Sequence, residues 1–233
     1  RIAFGVTEVQ QDIWIHDLAV GTTSRLTFDG QSNNDPVWNP DGTSFAFSRD
    51  YDAKDLYVLS AGGGDPDPVV AQDGTQMTTD WSPDGRHLVF TNVTANRDIW
   101  VAPLSGDGEP RPFLATRYRE GAGRISPNGR WLAYHSDESG QLEVYVQSFP
   151  EPGNKRLIST GGGQDPIWGP NGQELFYWNP QGQLIANQLT AGDDVTVGRR
   201  DVLFQFPDYL FNVHAQYDIH PDGQRFVIVR NAM

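Results

Sequence analysis

The sequence predicts an all-β chain, a β-propeller of short four-stranded blades. Three observations predict it. One turn phrase returns at a nearly constant step, short apolar strands follow it at fixed offsets, and no segment keeps a helical period. The phrase is x-Pro-Asp/Asn-Gly, centred on Asp41, Asp84, Asn128, Asn171 and Asp222, so its steps are 43, 44, 43 and 51 residues. The longer last step places an insertion around Asp201–His214.

Each element of the repeat has a physical reason. Pro fixes φ at the first turn position and Gly supplies the positive φ at the end, so the phrase closes a hairpin. An inner strand precedes it, with Trp38, Trp81, Ile125, Trp168 or Ile219 two residues before the Pro. A second strand follows at Phe45–Phe47, Leu88–Phe90, Leu132–Tyr134, Leu175–Tyr177 and Phe226–Ile228, and Ile2–Phe4 fits the same slot, which makes six copies. An acid opens the third strand at Asp12, Asp55, Asp98 and Glu143, followed by an apolar–aromatic–apolar run suited to a strand covered on both faces; Leu184–Ala186 is a weaker copy. Outer strands are expected at Ser24–Phe28, Asp67–Val70, Arg111–Leu114 and Lys155–Ile158. One such sheet cannot bury both faces alone, whereas neighbours stacked about an axis can. The count is six blades, with N- and C-terminal strands sharing one; five or seven stay open. Residues 1–233 read as a single propeller trimmed at both ends from a longer protein, because Arg1-Ile2-Ala3-Phe4 looks like mid-domain strand.

Composition narrows the partners. With 17 basic and 30 acidic residues the net charge is −13, so a nucleic-acid backbone or an anionic membrane surface is disfavoured. The absence of cysteine excludes disulfides and thiolate metal sites.

The Pro-Asp-Gly copies resemble the TolB-like propeller repeat, a relative of the WD repeat. The stretches Ser136–Gly140 with Glu143–Pro150, and Ile158–Gly163 leading to Glu174–Tyr177, look like the TolB-like sensor region of bacterial membrane-bound serine/threonine kinases, and Tyr217–Ile219 with Gly223–Phe226 fits too. That resemblance implies an extracytoplasmic or periplasmic, kinase-associated module, tethered through a membrane segment outside this chain. Neither a Gly-x-Gly-x-x-Gly loop nor a His-Arg-Asp catalytic loop is present in the sequence.

Catalytic motifs are missing from the sequence: no Gly-x-Ser-x-Gly elbow, no His-Glu-x-x-His and no phosphate-binding Gly-x-x-x-x-Gly-Lys. His16, His87 and His135 read as ordinary strand histidines. His214 and His220, with Asp218 between them, offer a metal foothold for a metal-assisted polysaccharide lyase or hydrolase. Inner-strand positions five and three residues before each Pro carry Asp35, Asp80, Arg124, Asp165 and Asp218. Alternation puts both positions on one side of the strand, where carboxylates facing a channel could hold a divalent cation or a partner's basic side chain. The competing reading has each Asp bonding neighbouring backbone. Asp50, Asp52 and Asp55 read as a solvated acidic loop.

The expected function is a non-catalytic binding or sensor module for a protein or peptide, with no bound cofactor. Its contact patch is expected at Arg97, Arg117, Tyr118 and Arg119 and at an aromatic insertion carrying Phe204, Phe206, Tyr209, Leu210 and Phe211, whose alternative role is to pack the last blade. An architectural or dimerising role is the third reading.

Overall fold

In the computed structural model, six antiparallel sheets follow one another along the chain, each built from strands adjacent in sequence. The structure describes residues 1–7, 11–49, 55–106, 108–206, 209 and 215–229. Two compact units divide it, Arg1–Pro112 and Phe113–Met233.

In the first unit, β1 (Ile2–Thr7), β2 (Gln11–Asp17) and β3 (Thr22–Arg25) form a three-stranded sheet. A four-stranded sheet follows from β4 (Asn33–Trp38), β5 (Ser44–Arg49), β6 (Asp55–Ser60) and β7 (Asp67–Val70), then another from β8 (Thr75–Trp81), β9 (His87–Val93), β10 (Arg97–Pro103) and β11 (Arg111–Leu114), whose last strand runs through the unit boundary. The second unit holds β12 (Glu120–Ile125), β13 (Trp131–Ser136), β14 (Glu143–Ser148) and β15 (Arg156–Leu157) in one sheet. The next is β16 (Gln164–Trp168), β17 (Glu174–Trp178), β18 (Gln183–Ala191) and β19 (Val195–Gln205), and β20 (Tyr217–Ile219) pairs with β21 (Phe226–Ile228). All six expected second strands are present, as β1, β5, β9, β13, β17 and β21.

Period-two alternation explains why these strands bury both faces. Phe45 and Phe47 pack with Ile13, Ile15 and Leu59 on one side of β5, while Ala46 turns to the other side and joins Leu56, Val70, Leu88 and Phe90. Complete burial of a side chain such as Phe47 contributes roughly 1.5–3 kcal/mol. In the second unit Trp131, Ala133, Val144 and Val146 pack on Trp168, Leu175 and Tyr177, and Phe176, Trp178 and Leu184 pack on Tyr209 and Tyr217.

The turn phrase folds as its chemistry requires. The five turn glycines have φ between 69° and 73°, and each N–H donates to the carbonyl of the residue before the Pro at 2.8–3.0 Å. The Asp or Asn Oδ1 accepts the backbone N–H two residues on, as at Asp41–Thr43 (2.8 Å), Asn128–Arg130 (3.1 Å) and Asp222–Gln224 (2.9 Å). Those bonds favour the ionised form: the Thr43 hydroxyl leads in lowering Asp41, and the Gln224 N–H leads in holding Asp222 at about 2.

The third-strand acids tie down the outer strand. Thr27 Oγ1 donates to Asp12 Oδ1 (3.0 Å) and accepts the Ile13 N–H (2.9 Å). Ser159 does the same in the second unit, donating to Glu143 and accepting the Val144 N–H (2.7 Å). In the two sheets between, the residue after the last apolar position of the outer strand is Ala71 or Ala115. There burial, unrelieved by a hydroxyl, raises Asp55 and Asp98.

Two expectations shift. The first outer strand is Thr22–Arg25 rather than Ser24–Phe28, which leaves Phe28 71% exposed outside the sheet. The longer last step is also taken up differently: much of it lengthens the β18–β19 hairpin to strands of 9 and 11 residues, so Asp201–Gln205 is strand and not inserted loop.

Candidate functional site

The inner strands share a device that alternation alone does not predict. In β4, β8, β12 and β16 the register with the next strand slips by one residue, between Asn34 and Val37, Thr78 and Asp80, Gly121 and Arg124, and Gln164 and Ile167. These are β-bulges. They fall between the two positions that the alternation argument placed on one side of the strand, so that argument fails in all four. Three of the residues five before the Pro adopt left-handed φ: Asp35 (55°), Ala122 (52°) and Asp165 (54°). Aspartate tolerates this region better than most residues. Pro36 and Pro166, which follow, have no N–H for the bulge to leave unpaired.

In the first unit the bulge links neighbouring sheets. The Ser48 hydroxyl on β5 accepts the Thr78 N–H (3.2 Å) and donates to Asp35 Oδ2 (3.5 Å), while Thr78 Oγ1 donates to the Asp35 carbonyl. Asp35 is half-buried, and so is Asp80, which stands on β8 opposite Val89.

The second unit repeats this link with titratable groups. The Asp165 N–H donates to His135 Nδ1 on β13 (3.3 Å), the place Ser48 fills in the first unit. Asp165 is completely buried. Its Oδ2 accepts the Tyr209 hydroxyl (3.1 Å), which in turn accepts the Gln216 N–H (3.0 Å). Its carbonyl accepts the Tyr217 hydroxyl (2.7 Å). Among the described residues Oδ1 receives no hydrogen bond, and it lies 3.8 Å from His135 Nδ1. A nitrogen that accepts the Asp165 N–H carries no proton to give Oδ1, so the neutral carboxyl is the form that suits this pocket. Burial pushes the Asp165 carboxyl up to about 7, with the Tyr209 hydrogen bond and the Arg124 charge pulling the other way. Burial also raises Tyr209 and Tyr217. Trp178 stacks on Tyr209 with ring centroids 4.2 Å apart, completing an aromatic wall.

The structure therefore brings Arg124 and Asp165 into one electrostatic group with His135, Tyr209 and Tyr217. His135, read from sequence as an ordinary strand histidine, is part of it; the signal was its position on the second strand, level with Ser48. Tyr209 is buried and Phe204 and Phe206 pack against the same cluster, so these aromatics hold the fold instead of forming a contact patch. Leu210, Phe211 and His214 lie outside the described residues, as do Asp50 and Asp52. Asp218 is exposed on β20. His220 belongs to its turn: Nδ1 accepts the Asp222 N–H (3.2 Å) and lies 3.0 Å from Asp222 Oδ2. Among the described residues no three His, Asp or Glu side chains gather as a metal site.

Comparison with known proteins agrees with this architecture. The chain is 28% identical over 213 residues to an uncharacterised protein of Agrobacterium fabrum, covering 85% of this chain and 70% of that one. It is 31% identical over 209 residues to an uncharacterised peptidase, YuxL, of Bacillus subtilis, covering 84% of this chain but 29% of that one. A Tol-Pal system protein TolB of Anaeromyxobacter dehalogenans is 29% identical over 107 residues, 45% of this chain and 24% of TolB, so the chain spans only part of these relatives. Among solved structures, TolB from Acinetobacter baumannii superposes with a TM-score of 0.68 at 20% identity, covering 81% of this chain and 48% of TolB, a likeness of fold. The TolB beta propeller domain family matches residues 1–172, and the chain, with its repeated turns and bulged inner strands, belongs to that family.

Proposed function

We propose that the chain is a non-catalytic binding module that recognises a protein or peptide. The observation that carries this reading is the use made of the buried ionisable side chains around Asp165. Asp165, His135, Tyr209 and Tyr217 are buried and bonded to each other or to backbone, an arrangement that locks neighbouring strands together and commits these groups to the fold. Recognition then falls to the loops at the end of the sheets where an outer strand hands over to the next inner one. Arg117, Tyr118 and Arg119 stand there in the second unit. Arg117 Nη2 donates to the Tyr118 hydroxyl (2.6 Å) with its guanidinium 4.8 Å from that ring's centroid, and Arg119 is held by Asp137 (2.9 Å). Pre-ordered Arg and Tyr side chains lose little entropy on docking.

Membership of the TolB family and the name of the Anaeromyxobacter relative, a Tol-Pal system protein, support an extracytoplasmic partner protein. The resemblance of Glu143–Pro150 to kinase-linked sensor regions supports, under this proposal, a role as part of a larger receptor. Peptides selected on the immobilised chain test the patch. They are expected to lose at least about tenfold in affinity against Arg117→Ala/Arg119→Ala. Peptides that bind that variant as tightly as the parent would move the site elsewhere.

A further inference from the structure

The repeat changes one residue type at one place. The turn position that is Asp41, Asp84 and Asp222 elsewhere is Asn128 and Asn171 in two successive sheets of the second unit. Both asparagines line the same open trough, with a volume of about 650 Å³. In each, Oδ1 is already engaged as it is in the aspartates: Asn128 Oδ1 accepts Ser126 Oγ (2.7 Å) and the Arg130 N–H (3.1 Å), and Asn171 Oδ1 accepts the Gln173 N–H (2.9 Å). The replacement therefore leaves the turn intact and converts the second carboxylate oxygen into an NH₂ donor at the trough wall.

The rest of the lining has the same character. Gln173, Gln188 and Thr190 add polar side chains that hold no protein partner among the described residues, and Glu174 is the sole charged one. Leu189, Ala191 and three glycines, Gly172, Gly192 and Gly198, complete the lining. A Cβ at Gly198 would lie in tight contact with the Gln188 carbonyl oxygen, 3.2 Å away. Without a Lys or Arg, the trough does not suit an anion; with one carboxylate, it does not gather a cation; and it has no deep apolar pocket to seat a peptide's anchor side chain. Amide donors and acceptors beside a few small apolar residues match a neutral, hydroxyl-rich chain.

We propose that this trough is a binding site for a neutral oligosaccharide, separate from the protein-binding loops. Asn128 and Asn171 donate to sugar oxygens, and Glu174 and Gln188 accept from sugar hydroxyls. Its affinity falls in the millimolar range, about 4 kcal/mol, since no aromatic ring lines it for stacking.

The test titrates isotope-labelled chain with maltohexaose and with chitohexaose and follows the side-chain NH₂ resonances of Asn128 and Asn171. Saturable shifts of these signals by at least one of the two sugars are expected. Asn128→Asp/Asn171→Asp should weaken that binding about tenfold, as loss of two hydrogen bonds would. This variant restores the residue that the sister turns carry, so it folds. Asp84→Asn, in a turn outside the trough, should leave binding unchanged. Absence of shifts with both sugars, or undiminished binding by the double variant, overturns the proposal.

Discussion

Replacing Asp165 by Asn should stabilise the chain, and by an amount that depends on pH. Asp165 holds its proton more tightly in the folded chain than in the unfolded one, at about 7 against 3.8. Folding therefore takes up a proton between those values. Stability contributed by this group is complete below about pH 4, declines as pH rises to about 7, and is level above that. Three units correspond to an upper bound of about 4 kcal/mol. Asn keeps what the site needs: it accepts left-handed φ, and its Oδ1 can take the Tyr209 hydroxyl. It cannot ionise. Urea unfolding of both proteins at pH 4 and pH 8 reads the difference, since every other titrating group is common to the pair. The Asn variant should gain roughly 2–4 kcal/mol relative to the parent between the two pH values. Equal pH dependence in the two proteins would refute the reasoning, and so would an Asn variant that loses ground as pH rises.

Three other perturbations test neighbouring parts of the same account. Tyr209→Phe removes the bond that lowers the Asp165 carboxyl, so its destabilisation, measured by the same unfolding, should be about 2–3 kcal/mol at pH 8 and nearer 1 at pH 5; equal losses would argue against a charged acceptor at pH 8. Ser159→Ala strips Glu143 and the Val144 N–H of their shared hydroxyl and should cost about 2–3 kcal/mol, lowering the thermal midpoint; an unchanged midpoint would show that the tie between β14 and the outer strand is dispensable. Gly162→Ala meets two obstacles, φ of 101° and a Cβ 2.4 Å from Pro180 Cγ, and should cost at least about 2 kcal/mol; calorimetry finding no loss would mean the loop has another conformation.

How far the sequence could be read follows from which interactions are local. Pro and Gly act within four residues, so the turns at Asp41, Asp84, Asn128, Asn171 and Asp222 were legible, and with them the second strands and the repeat. Acids at the head of β2, β6, β10 and β14 were legible as a pattern, but their meaning was not, because the hydroxyls of Thr27 and Ser159 that answer them lie 15 and 16 residues away. The bulges were missed for a related reason. A one-residue slip changes no residue type, and the Asp35-Pro36 and Asp165-Pro166 pairs that mark it read equally well as ordinary strand. His135 illustrates the limit. Only alignment of the second strands places it level with Ser48, and only the folded chain shows that both receive the backbone N–H of the next sheet's bulge.

That shared place shows how the bulge of β16 accommodates a fully buried carboxyl where the bulge of β4 holds a half-buried one. The bulge turns a backbone N–H toward the preceding sheet, and some acceptor must meet it, since an unmet buried donor costs about 1–3 kcal/mol. Ser48 meets it with a hydroxyl that also reaches Asp35, leaving that carboxylate half-buried. His135 meets it with a ring nitrogen that has no proton to offer, so Asp165 must find its support from Tyr209 and Arg124, and the aromatic wall that brings Tyr209 also shuts out water. The raised carboxyl follows from that burial, which the Tyr209 hydrogen bond and the Arg124 charge only partly offset. His135→Ser removes a buried ring from beside the carboxyl and opens it to water, so it should bring Asp165 down toward the ordinary carboxylate range, and a side-chain carbon resonance titration of Asp165 that stays near 7 in that variant would show that the ring takes no part in its burial.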